Sequence, residues 1–197
     1  MMELELVPLI LFGVAAGFSP GPNNIVTSYS AFNFGFKKTI PTMLGVISGW
    51  TLLSIILVIG SGIVFKKFEE IQFIIKILGS IYLVFLAYKI SFTKMKKKAK
   101  ESQPITFLNT FFFQFVNPKS IIAGLTAISL FIDTQNNYLK DSIIFVVVMF
   151  FIAVGSQATW CLTGTYLRKF ATSEKFMSNF NYSMSFLLIV CVIMFYV

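Results

Sequence analysis

The chain has 197 residues, 56% of them hydrophobic and only 12% charged, with a mean hydropathy of +0.82. Soluble domains carry about 25% charged residues and could not enclose 24 phenylalanines beside so many other apolar side chains, so the composition excludes a soluble globular protein and indicates an integral membrane protein. The net charge of +8 is not by itself a sign of nucleic acid, because in a membrane protein the placement of Lys and Arg along the chain carries more meaning than their sum.

A membrane-spanning helix needs about 20 mostly apolar residues, and six such stretches follow one another: residues 6–32, 40–64, 71–92, 105–132, 143–167 and 180–197. The stretches between them are too short for a soluble domain, so residues 1–197 read as one all-α transmembrane domain.

The first run starts beside Glu3 and Glu5, where a cleaved signal peptide would carry Lys or Arg, and is expected to stay in the mature protein. As one helix, residues 6–32 would measure about 40 Å, against a hydrocarbon core of about 30 Å. The run also contains "SPGPNN", residues 19–24. A proline inside a helix removes a backbone hydrogen bond and clashes with the preceding turn, so Pro20, Gly21 and Pro22 exclude a continuous helix. Proline suits the first position of a new helix. The chain therefore restarts with Ser19 as N-cap before Pro20, or with Gly21 before Pro22.

The second run follows Lys37 and Lys38 and ends a "GVISGW" segment at Trp50. Its Gly45 and Gly49, like Gly13 and Gly17 in the first run, have the GxxxG spacing that lets helices approach closely. In the third run Lys76 is expected to snorkel to the outer interface. A basic loop, residues 93–104, comes next. The fourth run repeats the excess length of the first and is interrupted by "FVNPKS", residues 115–120, where Asn117 reads as an N-cap and Pro118 as the first helical residue. Gln114 lies three residues before Asn117, on the same face if the helix persists between them. The fifth run holds "AVGSQATW", in which Ser156, Gln157 and Thr159 make a polar face. Cys161 and Cys191 lie in the last two runs without CxxC spacing or histidine partners and read as packing residues, not a disulfide or metal site.

Positive charge alternates from one connection to the next. One set holds Lys37 and Lys38, then Lys89, Lys94, Lys96, Lys97, Lys98 and Lys100, then Arg168, Lys169 and Lys175. The other holds Lys66 and Lys67, offset by Glu69 and Glu70, and Lys140, flanked by Asp133 and Asp141. The rich side is cytoplasmic by the positive-inside rule, which places both termini outside. The "KMKKKAK" segment is read as a topology signal that also touches anionic lipid headgroups. It is short and has no aromatic residue to stack on bases, so no nucleic-acid partner is expected.

The two interruptions fall in runs one and four. The chain thus divides into halves of three spans, about 1–92 and 105–197, and an odd number of spans per half makes the second half inverted. The Trp50 and Trp160 segments are a faint second echo of the same repeat. Non-helical backbone at membrane depth is tolerated where it lines a cavity, and paired discontinuous helices mark the binding site of a transporter. Helix N-termini attract anions such as carboxylates. The candidate substrate-binding residues are Pro20, Gly21, Pro22, Asn23, Asn24, Gln114, Asn117, Pro118, Lys119 and Gln157. Lys119 has two readings: pairing with a substrate carboxylate, or fixing the broken backbone with its ammonium on helix carbonyls.

"SPGPNN", "FGFKKTIPTMLGVISG", the basic middle loop and "NPKS" together resemble the LysE/RhtB superfamily of bacterial amino-acid exporters over the whole chain. "PGPNNI", "QPITF", "FQFVNPKSIIAGLTAISLF" and "WCLTG" are most similar to its branch that exports cysteine and O-acetylserine. The resemblance implies six spans in an inverted three-plus-three repeat in the bacterial cytoplasmic membrane, and efflux of a small amino acid or metabolite, often driven by the proton gradient. Many members carry an intramembrane Asp in the second and fifth helices, about where this chain has Trp50 and Ser156–Gln157. With no histidine, and all 8 acidic residues near span ends or in loops, no residue offers itself as a proton carrier at the midplane.

The expected partner is thus a small amino-acid substrate moved by alternating access, without a cofactor. The alternative is an exporter of a cation or other small solute on the same scaffold, although the spans hold no carboxylate, histidine or cysteine cluster for a metal. An intramembrane enzyme such as a protease is not expected, since no HExxH, GxSxG or paired intramembrane acids appear. Small residues along the spans would also permit a homodimer.

Overall fold

The computed structural model describes residues 6–64, 68–91, 104–132, 138–170, 173–194 and 196, with side chains left undescribed at 61–64, 68–73, 75, 76, 174, 177 and 194. The described residues are helical: α1 (Leu6–Phe18), α2 (Pro22–Phe34), α3 (Phe36–Val64), α4 (Phe68–Ser91), α5 (Phe107–Phe113), α6 (Pro118–Phe131), α7 (Tyr138–Arg168) and α8 (Glu174–Met194), with a 3₁₀ turn at Gln114–Val116 between α5 and α6. Glu3, Glu5, Lys66, Lys67, Asp133, the "KMKKKAK" segment and the side chains of Glu69, Glu70 and Lys76 lie outside the described residues.

Two stretches, Phe36–Gly60 and Tyr138–Arg168, are each long and apolar enough to cross a membrane. Two bent pairs meet the same criterion jointly, α1 with α2 at 53° and α5 with α6 at 57°, giving two to four candidate spans. Shorter apolar stretches, Ile77–Ser91 and Ser178–Ile193, lie within α4 and α8. Large apolar side chains such as Val7, Ile59, Phe151 and Phe186 face outward, as lipid-facing residues do.

Local chemistry explains the helix ends. α2 stops at Gly35, whose φ of 84° is disfavoured for other residues, and the Gly35 N–H donates to the Ala31 carbonyl at 2.8 Å. This one-residue corner starts α3 at Phe36, before the expected residue 40, and leaves Pro41 inside the helix. The missing N–H of Pro41 deprives the carbonyl of Lys37, an exposed residue at the helix end, where the loss is tolerated. A Cβ on Gly35 would lie 2.7 Å from Arg168 Nη1, so the basic corner at Lys37 and Lys38 and the end of α7 share one end of the bundle.

α2 is the central element. From Asn24 to Phe32 every residue is buried although the segment is rich in Asn, Ser and Thr, so its polar groups face other helices, chiefly those of α7. Gly164 of α7 lies against the Ser28 carbonyl, too close for any Cβ. The GxxxG pairs also act in packing: Gly45 and Gly49 of α3 abut the Phe107 and Phe111 carbonyls of α5, and Gly13 and Gly17 abut Ile152 of α7. α4 packs mainly against α8.

Two apolar clusters result. One joins Leu9, Leu53, Leu57, Ile121, Leu125, Ile128, Phe145 and Met149 from α1, α3, α6 and α7. The other joins Ile25, Tyr29, Leu83, Leu86, Ile90, Phe113 and Leu188 from α2, α4, α5 and α8. The chain interruptions lie where one cluster gives way to the other.

Candidate functional site

Both interruptions are helix restarts with proline in the first turn. α6 begins at Pro118 with Asn117 as N-cap, its side chain accepting from the Lys119 N–H at 3.2 Å. α2 begins at Pro22 with the extended Gly21 as N-cap and no side-chain cap. The N–H groups of Asn23, Asn24 and Ser120 lie in first turns, where an α-helix provides no acceptor.

The carbonyls left by the end of α1 are all answered. Ser19 N–H reaches Ala15 O at 3.3 Å, and Ser19 Oγ donates to Ala16 O at 3.0 Å. Gly17 O accepts from Asn24 Nδ2 at 2.8 Å and Ser156 Oγ at 2.7 Å, and Phe18 O from Trp160 Nε1 at 3.3 Å. Ser19 O accepts from Asn24 Nδ2 at 2.9 Å and Lys119 Nζ at 3.1 Å, and Pro20 O from Lys119 Nζ at 3.2 Å. Lys119 Nζ also donates to Ser19 Oγ at 2.8 Å, so its three hydrogens all have acceptors on the first break.

The amides form two linked groups. Asn23 and Gln114 bond reciprocally, Nδ2 to Oε1 at 2.8 Å and Nε2 to Oδ1 at 3.0 Å, with Asn117 Nδ2 donating to Asn23 Oδ1 at 3.4 Å. Gln157 Nε2 donates to Asn24 Oδ1 at 2.9 Å, and Gln157 Oε1 accepts from Thr27 Oγ1 at 2.5 Å. Each amide has two donors and two acceptor sites. Gln114 also donates to Thr110 O and accepts from Ser120 Oγ, so it is saturated, and both amide hydrogens of Asn24 are taken. Asn23, Asn117 and Gln157 each keep an amide hydrogen beyond these bonds.

Beside these groups lies a cavity of about 90 Å³, several times the 10–15 Å³ or so that one water requires on the same measure. The polar part of its wall is Asn23, Asn24, Asn117, Lys119, Ser120, Ser156 and Gln157, with Gly21 and Pro22 of the first break, and the apolar part includes Phe12, Val46, Trp50, Ala123, Met149, Ile152 and Ala153. Lys119 is the one charged side chain among the described residues that line the space.

Residues 10–197 match the profile of the LysE type translocators. The chain belongs to the LysE family. Its relatives include the cysteine/O-acetylserine efflux protein of Escherichia coli (strain K12), 28% identical over 185 residues and 92% of each chain. The protein of the same name from Shigella flexneri is 27% identical over 196 residues, covering 95% of this chain and 98% of the relative. No solved structure matches.

Seven of the ten residues expected at the site line the cavity of this LysE-family chain: Gly21, Pro22, Asn23, Asn24, Asn117, Lys119 and Gln157. Pro20, Gln114 and Pro118 are not among the lining residues. Pro20 is exposed, Pro118 is buried in the first turn of α6, and Gln114 stands behind Asn23 as its support. On α7, Ser156 and Gln157 turn inward, whereas Thr159 is exposed and bonds back to the Gly155 carbonyl. Sequence reasoning did not place Ser120 or the apolar wall of Trp50, Met149 and Ile152. Of these only Ser120 had a visible signal, its first-turn position after Pro118.

Proposed function

We propose that the protein exports a small zwitterionic amino acid across the bacterial cytoplasmic membrane by alternating access, with cysteine or O-acetylserine as the leading substrates. The observation that carries this reading is the cavity, where two restarted helices present first-turn N–H groups beside amides with unused hydrogens. Such N-termini favour a carboxylate. Asn23 and Asn117 hold it, and Gln157 supplies a further donor. The relatives' printed activity supports the substrate class. A volume of about 90 Å³ suits a small solute.

In this reading six spans, counting α4 and α8, form one transmembrane domain. Its inverted halves, about 1–92 and 105–197, are joined by the basic loop 93–104, with both termini outside. At the level of whole spans the packing supports the repeat: the α1–α2 pair lies on α7 as the α5–α6 pair lies on α3, while α3 meets α7 and α4 meets α8. Within the pairs the halves differ, since α2 makes most of the first contact and α5 most of the second. Rocking of one half against the other then opens the cavity to each side in turn.

The test is efflux from cells preloaded with labelled amino acids, cysteine and O-acetylserine among them. Wild type should deplete one or a few of them, while Asn23→Ala and Asn117→Ala, at equal membrane abundance, should not. Normal efflux from both variants would remove these residues from the site. A wild type that moves no amino acid would overturn the export reading.

A further inference from the structure

Lys119 holds the one titratable side chain among the residues that line the cavity. It sits in the first turn of α6, about a hundred residues from the groups it binds: Ser19 O at 3.1 Å, Ser19 Oγ at 2.8 Å and Pro20 O at 3.2 Å. Ser19 Oγ gives its own hydrogen to Ala16 O, so its lone pairs are turned to the ammonium. Unwound carbonyls at the end of a half-helix are the usual seat of a coupling cation in transporters with broken helices. Here the seat is filled by a cation tethered to the other broken helix.

The geometry favours the charged form. An ammonium has three hydrogens for three oxygens, whereas a neutral amine keeps all three contacts only if Ser19 Oγ turns its hydrogen from Ala16 O to the amine lone pair. Among the described residues, the groups around Lys119 do not fix its charge by pairing. From α1 and the first break it meets carbonyls and a hydroxyl, and the cavity wall contributed by α2, α3 and α7 has no ionisable side chain. On α8 the titratable group near it is the free Cys191 thiol, and on α4 a described residue beside Pro118 is Gly79. Asp141 is buried in the first turn of α7, has its own partner, and is not a lining residue. A charge held inside a membrane by neutral dipoles alone is costly and by default functional.

We infer that Lys119 is the coupling residue of the exporter: its ammonium and the ammonium of the substrate compete for the Ser19 and Pro20 oxygens at the first break. The inference rests on the export reading and gives it an exchange mechanism. With the cavity open outward, the Lys119 amine takes a proton from water onto its nitrogen lone pair, and the resulting ammonium enters the oxygen seat and ties α6 to the first break. With the cavity open inward, the substrate ammonium takes the seat and Lys119 returns that proton to water. The proton moves in as the substrate moves out, and no other reactant is needed. Trp50 and Gln157 therefore need not replace an intramembrane carboxylate.

The experiment uses the full-length protein in proteoliposomes with the amino acid that cells export. Under an imposed pH gradient wild type should concentrate it, up to about tenfold per pH unit for a single exchanged proton. Lys119→Met should lose the concentrating step, and whatever substrate-for-substrate exchange it retains should no longer respond to the pH gradient, while Lys119→Arg, which stays charged, should lose exchange as well. A Lys119→Met protein that concentrates substrate as wild type does would overturn the inference. So would wild-type transport indifferent to the pH gradient. If the variants do not fold, substrate binding to detergent-solubilised wild type, titrated in buffers of different ionisation enthalpy, decides the matter: binding should release a proton. An exporter whose substrate binding releases none would sink the coupling role alone, whereas failure of wild type to move any amino acid would sink the export reading with it.

Discussion

The two chain interruptions share a sequence device, a restart on proline, but are held in opposite ways. At the second, the 3₁₀ turn leads into Asn117, which caps α6 through the Lys119 N–H within its own segment. At the first, Gly21 offers no side-chain cap, and the carbonyls of residues 17–20 are answered by Asn24, Lys119, Ser156 and Trp160. Three of those four come from helices more than ninety residues away. The second break is a local structure, and the first is made by the rest of the molecule. A break of the second kind can form as its helix forms. One of the first kind exists only when α6 and α7 are in place, so it is the one that a relative movement of the halves would disturb.

Substitutions can test this contrast, beginning with the largest expected effect. Asn24→Ala removes donors from Gly17 O and Ser19 O and the acceptor for Gln157 Nε2. Gly17 O keeps Ser156 and Ser19 O keeps Lys119, so the Gln157 amide is the group left unmet; that costs about 1–3 kcal/mol, and with about 0.6 kcal/mol for each of the two other lost bonds a loss of about 3 kcal/mol is expected, read as a lowered thermal midpoint of the detergent-solubilised protein. An unchanged midpoint would mean that the first break does not depend on its distant supports. Asn117→Ala should cost about 1 kcal/mol, the usual worth of an N-cap, whereas Asn117→Ser, which keeps a capping oxygen, should recover most of it. If Asn117→Ala were as damaging as Asn24→Ala, the second break could not be called local. The smallest effect is expected from Ser156→Ala, about 0.6 kcal/mol for one interhelical hydrogen bond in a membrane protein, because Gly17 O retains Asn24. A loss of several kcal/mol there would show that α7, not α2, anchors the first break.

The legible parts of the site were those whose chemistry is local. Pro22 and Pro118 mark restarts by themselves, since proline tolerates the first helical position and little else in a helix. Asn117 was readable as a cap from its place before Pro118. At the first break the sequence left two starts open, and the structure takes the one at Pro22, because an extended glycine can precede it while Ser19 closes the end of α1. The polar face of α7 was read one residue too wide. Thr159 satisfies its hydroxyl on its own helix, and only packing reveals which way it turns.

By itself the sequence determined that this is a membrane-embedded helical protein whose first and fourth apolar runs are interrupted. Hydropathy, run length and proline each act within one segment and need no knowledge of the others. Which atoms those interruptions employ was decided by tertiary structure. Gln114 became a support instead of a wall, Ser120 and the Trp50–Met149–Ile152 wall joined the cavity, and Lys119 reached across to Ser19 and Pro20. The reason is that a broken helix leaves its carbonyls unpaired wherever it ends, and only the helices that pack around the break fix which donors can reach them.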